Sequence, residues 1–474
     1  MTPTKIVATI GPATATPEML RRLSEFGMSI ARLNGSHADL DWHRDAIKLI
    51  RDTLPQTPIL LDIPGRKVRT IQLAHEPSFS AGDTLILTTD TVHDGTEKVP
   101  VNYANLHKDV EPGTTILADD GTLRFTVMEI NGPDIVCRAD VNGTLRSRKG
   151  INVPNVRLGT DLITQRDHDM VAFARDNEVD FIGISFVESA AHVEAIRSLT
   201  GGTWPRIVAK VENQGGIDNL EEICSATDAI MIDRGDLSVE TNLETLAIAQ
   251  KKIIIAATAA AKPVIVATEI LHSMIENPFP TKAEVSDITN AVIDGCAATM
   301  LSGETAVGKH PIQAVEMMQN VAKAASSHVQ SVLDYDTPDD KKAVPKAVDA
   351  AIALICRQLA ISKIVAVTVS GYAARLVASH RPSQPILAIS NDPIAARSFN
   401  LLYGTEGFFI DIPFPKSSTD HVVHCLEHLW RIGKLVDDDL VLVTAVGYPN
   451  TGNRMNLIQT HYISDLKQVF DWQP

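Results

Sequence analysis

The chain is poor in cysteine and carries no surplus of positive charge. Its five cysteines, Cys137, Cys224, Cys296, Cys356 and Cys425, are spread over 474 residues without a C-x-x-C pair. That spacing excludes a cysteine metal cage or a disulfide framework, and scattered thiols suit a reducing compartment. With 43 Lys and Arg against 58 Asp and Glu the formal net charge is -15, which excludes the broad basic footprint of a nucleic-acid binder. A local group of cations can still serve a small anionic substrate. Long apolar runs are missing too. The opening MTPTKIVATIGPAT lacks the apolar stretch of a signal peptide. The most apolar region, 253–271, is broken by Lys262-Pro263 and holds Glu269, which argues against a membrane span. The expectation is a cytoplasmic globular protein of roughly two to four domains.

Short, near-continuously apolar runs bounded by turn signals are what the first 305 residues do contain: KIVATI (5–10), MSIARL (28–33), PILLDI (58–63), DFIGISF (180–186), RIVAKV (206–211), AIMID (229–233), PVIVAT (263–268) and ATMLS (298–302). Such runs fit parallel strands buried on both faces. Helical patterns such as PEMLRRLSEFG and AAHVEAIRSL separate most of them, so the reading is α/β, a (β/α)8 TIM barrel. The gap between Ile63 and Asp180 is too long for a loop. Its alternating, turn-rich segments predict a small inserted β domain at 66–155, leaving barrel parts at 1–65 and 156–341. After the charged stretch DYDTPDDKKAVPK a separate C-terminal α/β unit is expected at 342–474, with a helix over 344–360, then KIVAVTVSG, ARLVASHR and PILAISN, a helix through 426–432, and LVLVTAV.

Strand after strand closes in polar groups: Arg32 and Asn34, Asp62, Ser185, Lys210 and Glu212, Asp233 to Asp236, Thr268, then Ser302 and Glu304. Barrel enzymes carry their chemistry at those ends. Glu212 and Asp236 are hard oxygen ligands that suit Mg2+ held between protein and phosphate. Lys210 lies two residues before Glu212 and so points the same way, where an ammonium can neutralise charge developing in transfer. Arg32 offers a donor fork suited to phosphate. Gly235 sets a bare backbone N–H beside Asp236, and the Thr268 hydroxyl can shuttle a proton.

Longer matches carry a more specific signal. KIVATIGPAT, ARLNGSH, VAKVENQGGIDNLEEI, IMIDRGDLSVE, PVIVATEILHSMIENPFPTKAEVSDITNAVIDG and MLSGETAVGKHP make the chain resemble pyruvate kinase along nearly its whole length. The resemblance implies a barrel A domain, a B-domain lid, a C-terminal regulatory-type domain and a homotetramer that transfers a phosphoryl group from phosphoenolpyruvate to ADP. It further implies that Lys210 stabilises the phosphoryl group in flight, that Arg32 holds it, that Glu212 and Asp236 ligate Mg2+ (or Mn2+), and that Thr268 lies in the protonation path. Arg69 and Lys149, at the lid's edges, would contact the nucleotide. Asn34, Ser36, Asp62 and the carbonyl of Ile63 would surround a monovalent cation. Thr368, Ser370 and Gly371 stand where effector-binding relatives keep a phosphate loop.

Several positions depart from the family pattern. Lys67 in LLDIPGRKVRT replaces a Glu that accompanies dependence on K+; a tethered ammonium can supply that charge internally, so K+ is not expected to be required. Asp233 stands where Ala is usual, Glu269 replaces Gln, and Gly216 replaces Glu. A carboxylate at 233 repels an anionic substrate unless it is paired or turned away. These departures keep a related enol phosphate or a different acceptor as the alternative. A carbon–carbon lyase of the same barrel type is disfavoured by the lid cations, and a non-catalytic sensor by retention of Lys210, Glu212, Asp236 and Thr268.

Overall fold

A computed structural model describes residues 3–65, 67–154, 156, 159, 162–328, 343–415, 417–446 and 455–473. Arg66, Asn155 and residue 342, where the domain boundaries were expected, fall outside these residues. Eight parallel strands close into a barrel with each strand beside its sequence neighbours. They are β1 (Lys5–Thr9), β2 (Ile30–Asn34), β3 (Ile59–Ile63), β4 (Phe181–Ile184), β5 (Arg206–Val211), β6 (Ala229–Asp233), β7 (Val264–Ala267) and β8 (Ala298–Leu301). Every residue of these strands except the half-buried Asn34 is buried, which is why their sequences show no polar face. Outward side chains pack under the helices in one large core.

The inward side chains are apolar at the bottom of the barrel: Val7, Ile30, Leu60, Phe181, Val208 and Met231 form one cluster. Two residues further along the same strands stand Thr9, Arg32, Asp62, Gly183, Lys210 and Asp233. The period of two therefore carries each polar group to the C-terminal mouth on the inner face. Gly183 has a steric reason: a Cβ there would lie 2.0 Å from Asp62 Oδ1.

The insertion forms a six-stranded, largely antiparallel sheet plus a two-stranded pair. Its edge strands are Ile151–Asn152 and Val99–Pro100. Arg69 bridges to Gly150 and Thr70 to Val101, so one segment joins both edges and curls the sheet closed. A full closure removes exposed edges.

The C-terminal sheet has five strands: β9 (Lys363–Val367), β10 (Ile386–Ser390), β11 (Thr405–Phe409), β12 (Leu440–Ala445) and the antiparallel β13 (Leu457–Tyr462). The expected helices appear at Ala343–Gln358 and Asp420–Arg431. The expectation missed β11 and β13, the two sheet edges; both are only partly buried, so neither carries the apolar signature that marks an inner strand. Leu401 plugs the bottom of the barrel among Val7 and Phe181. Lys5 donates to the carbonyl of Thr405 at 2.6 Å, and Arg397 pairs with buried Asp180 at 2.9 Å, fastening this unit to the N-terminal end of the barrel. Among the described residues no helix is long and apolar enough to cross a membrane.

Candidate active site

Lys210 is the hub of the C-terminal mouth. Its Nζ lies 2.7 Å from Glu212 Oε1, 3.1 Å from Asp233 Oδ2 and 3.8 Å from Asp62 Oδ2, and donates to Ser185 Oγ at 3.2 Å. Burial opposes its charge, but Glu212, Asp233 and Asp62 outweigh that and raise its pKa well above the usual range. The ammonium therefore stays protonated. Glu212 is fully buried. Burial pushes its carboxyl up against the opposing pull of Lys210, with Asp233 and Asp236 adding to the rise. Its Oε2 accepts the backbone N–H of Phe186 at 2.6 Å.

Arg32 uses its fork on a protein partner here. Nε and Nη2 both donate to Asp62 Oδ2, at 2.9 and 2.6 Å, and Nη1 donates to Thr9 Oγ1 at 3.0 Å. Thr9 carried no signal beyond its inward register. Asp62 Oδ1 is buried with no hydrogen-bond partner among the described residues. Of the other groups expected around a monovalent cation, Asn34 pairs in register with Asp62 across β2 and β3. Asn34 Oδ1 accepts the N–H of the exposed Ser36 at 3.2 Å, and the Ile63 carbonyl accepts the Ser185 hydroxyl at 2.9 Å.

Asp233 is paired, not bare. Besides Lys210 it faces the Thr268 hydroxyl at 3.1 Å. Burial would raise its carboxyl, but Lys210 and then Arg32 hold it below the ordinary range. Glu269, by contrast, is exposed. Thr268 and Glu269 sit at φ 66° and 53°, a left-handed conformation costly for a β-branched residue. Arg234 holds them there. Its guanidinium donates to the carbonyls of Thr268 (2.9 Å) and Glu269 (3.2 Å) and pairs with Asp287 at 2.7 Å. The result aims Thr268 Oγ1 at the Gly235 N–H, which donates to it at 2.8 Å.

Lys67 enters the same region and pairs with Asp236, its ammonium 5.9 Å from the centroid of the Phe186 ring. Glu240, four residues after Asp236 on one helix face, accepts Asn152 Nδ2 of the inserted sheet at 2.6 Å, and burial pushes its carboxyl up to about 7. Both residues escaped the sequence reading, although the spacing of four from Asp236 was visible. Arg69 and Lys149 lie further off. Arg69 donates to the Arg148 carbonyl at 3.1 Å and Lys149 pairs with Asp119 at 2.6 Å; among the described residues neither contacts the Lys210 cluster. In the C-terminal unit Thr368 Oγ1 accepts the Gly371 N–H at 3.1 Å, and the Ser370 carbonyl is taken by Arg206 and Arg375. Gly371 has φ 83° and a Cβ there would meet the Phe399 ring at 2.4 Å, so only glycine fits.

Glu212, Asp233 and Asp236 each offer an oxygen within 4.8 Å of the others. Hard oxygens at that spacing, two of them deeply buried, fit a divalent cation with positions left for water and phosphate. An ammonium, a guanidinium and a positioned hydroxyl around such a group are the parts of a phosphoryl-transfer site.

Known proteins are similar to this chain over nearly its whole length. The family described as pyruvate kinase, barrel domain, matches residues 1–315, and that described as pyruvate kinase, alpha/beta domain, matches 346–461. A pyruvate kinase of Bacillus licheniformis is 36% identical over 98% of this chain and 81% of its own, and one of Clostridium perfringens 35% identical over 95% and 97%. The solved structure of a pyruvate kinase from Cryptosporidium parvum superposes with a TM-score of 0.87 at 33% identity, covering 97% of this chain and 96% of that one. Barrel, added sheets, C-terminal unit and sequence agree: the chain is a phosphotransferase of the pyruvate kinase family.

Proposed function

We propose that the enzyme moves the phosphoryl group of phosphoenolpyruvate to ADP, giving ATP and pyruvate, at the mouth of β5 and β6. The observation that carries this reading is the buried Lys210 ammonium set among Glu212, Asp233 and Asp62 beside the Arg32 fork. A divalent cation, Mg2+ or Mn2+, would be held by Glu212 and Asp236 and would supply charge neutralisation for substrate oxygens. Lys210 and Arg32 then face the phosphate from the protein side, and their charges count for most where water is excluded. Arg32 can turn its Nη groups to a phosphate while Asp62 keeps it oriented through Nε. Thr268, strained and hydrogen-bonded to Gly235, presents a hydroxyl for delivering a proton to the enolate carbon. Arg69 and Lys149 take the nucleotide phosphates when the inserted sheet, as a lid spanning 66–155, approaches the barrel. In the same reading the barrel occupies 1–65 and 156–341, the C-terminal domain begins at 342, and the enzyme works in the cytoplasm as a homotetramer.

The test is pyruvate formation from phosphoenolpyruvate and ADP with Mg2+ in Tris buffer, with and without K+. Turnover is expected in both, because Lys67 brings its own positive charge to the site, on Asp236. Lys67→Glu is expected to make turnover depend on K+. Equal rates of that variant with and without K+ would remove the internal-cation role and leave the enzyme assignment standing.

One observation favours a second reading, a related enol phosphate or another acceptor: the third carboxylate, Asp233, among the metal-site oxygens. Its pairing with Lys210 blunts its repulsion of an anionic substrate but also occupies the ammonium. Asp233→Ala is expected to raise kcat/KM for phosphoenolpyruvate about tenfold, the worth of ~1.4 kcal/mol of relieved repulsion. A tenfold fall instead would make Asp233 part of the working site for phosphoenolpyruvate, whereas the same substitution lowering turnover of a different enol phosphate would move the assignment to the second reading.

A further inference from the structure

At the far end of the barrel from the mouth, a cleft of about 30 Å3 lies where the C-terminal unit meets the starts of β7 and β8. Lys262, Arg375 and Arg381 line it, together with Gly295, Ser379 and Tyr403. Each of the three cations has only backbone carbonyls as hydrogen-bond partners among the described residues. Lys262 Nζ donates to Thr227 O at 2.5 Å, Arg375 Nη1 to Ser370 O at 3.0 Å, and Arg381 Nη1 to Val292 O at 2.9 Å. The acids nearby form their ion pairs elsewhere, Asp228 with Arg197 at 3.2 Å and Asp294 with Lys251, although Asp228 is close enough to attract Lys262 and Arg375 without pairing with either. A fourth cation, Arg206, adds to the surplus from behind, sharing the Ser370 carbonyl with Arg375 at 2.6 Å.

Arg381 gives the second, independent observation. It stacks on Tyr403, 4.3 Å from the ring centroid, and its Nε and Nη2 are buried with no hydrogen-bond partner among the described residues. Buried donors left unmatched are rare and call for an acceptor that completes them. The volume holds roughly two waters, and the cleft is partly open to solvent, so a larger anion would sit with some of its oxygens in water. The charges also press on one another: burial lowers the pKa of Arg206 to about 9 and that of Arg375 below its usual range, with Arg375 and Arg206 close enough to repel.

We infer that this cleft is a binding site for a phosphate oxyanion, distinct from both the reaction site and the Thr368–Gly371 loop, in which Lys262, Arg375 and Arg381 clasp the anion and tie the helix Tyr372–Ser379 to the barrel. The inference goes beyond the proposed function and does not depend on it. The anion is inorganic phosphate or the phosphate of a monoester, since the same donors take either.

The full chain is to be crystallised and soaked in tungstate, and its thermal stability followed with inorganic phosphate and with glycerol phosphate. Anomalous density between Lys262, Arg375 and Arg381 is expected, together with a phosphate-dependent rise in Tm. Arg381→Gln and Lys262→Gln are each expected to weaken the apparent phosphate affinity from that rise by about tenfold, the worth of one charge-assisted hydrogen bond. A larger rise with glycerol phosphate names an ester as the ligand; a larger one with inorganic phosphate names the free ion. Tungstate only at the barrel mouth or the 368–371 loop, or phosphate responses unchanged in both variants, would overturn the site. The soak uses the natural sequence, so it decides even if a variant fails to fold.

Discussion

Lys210→Met is expected to lower kcat for pyruvate formation about a thousandfold, the upper range for losing one preorganised charge at a reacting group. The KM for phosphoenolpyruvate should move less than about tenfold, because Arg32 and the metal site still bind the ground state and the ammonium acts mainly on charge in flight. The structure makes the effect local. Lys210 is buried, so water cannot take its place, and no second ammonium reaches Glu212, Asp233 and Asp62 together among the described residues. Removing it leaves those carboxylates uncompensated, which by itself costs stability. A melting curve with Mg2+ separates that cost from the catalytic loss. Turnover unchanged in folded protein would end the role given to Lys210.

The second large effect concerns the metal. Glu212→Gln keeps the shape, and its amide oxygen can still accept the Phe186 N–H, yet it removes a charged oxygen from the group formed with Asp233 and Asp236. Mn2+ affinity, read from the loss of the free-ion spin-resonance signal, is expected to fall about a hundredfold, since even an outer partner of a metal ligand is worth up to that factor. Turnover at fixed Mg2+ should fall with it and recover in part at higher metal. Unchanged Mn2+ binding with lost turnover would make Glu212 a counter-ion of Lys210 and remove it from the metal site.

The four carboxylates and three cations of the mouth are nearly balanced. Arg32 answers Asp62, Lys210 answers Glu212 and Asp233, and Lys67 answers Asp236. Asp233 is therefore tolerable in the resting protein. Substrate and metal binding must break some of these pairs, and Lys67 is the most exposed of the three cations, its side chain 15% accessible. That places it well to give way when Asp236 takes a metal.

All eight barrel strands were legible in the sequence because parallel strands buried on both faces need continuous apolar runs. The list of mouth residues was legible too, since a period of two fixes which strand positions point inward. Arg32, Lys210 and Glu212 could be chosen from that pattern and from their chemistry. What no sequence pattern holds is the pairing between strands far apart in the chain. Lys67 meets Asp236, 169 residues away, only because the barrel carries the segment after β3 across the mouth to the helix after β6, and Asp233 meets Lys210 through the pairing of β5 with β6. The edge strands Thr405–Phe409 and Leu457–Tyr462 had too little burial to leave an apolar signature. The cationic cleft is the extreme case. Lys262 lies more than a hundred residues before Arg375 and Arg381, and their shared surplus of charge exists only where the C-terminal unit docks on the barrel. Local sequence decides period and chemistry; long-range packing decides which charges share a space.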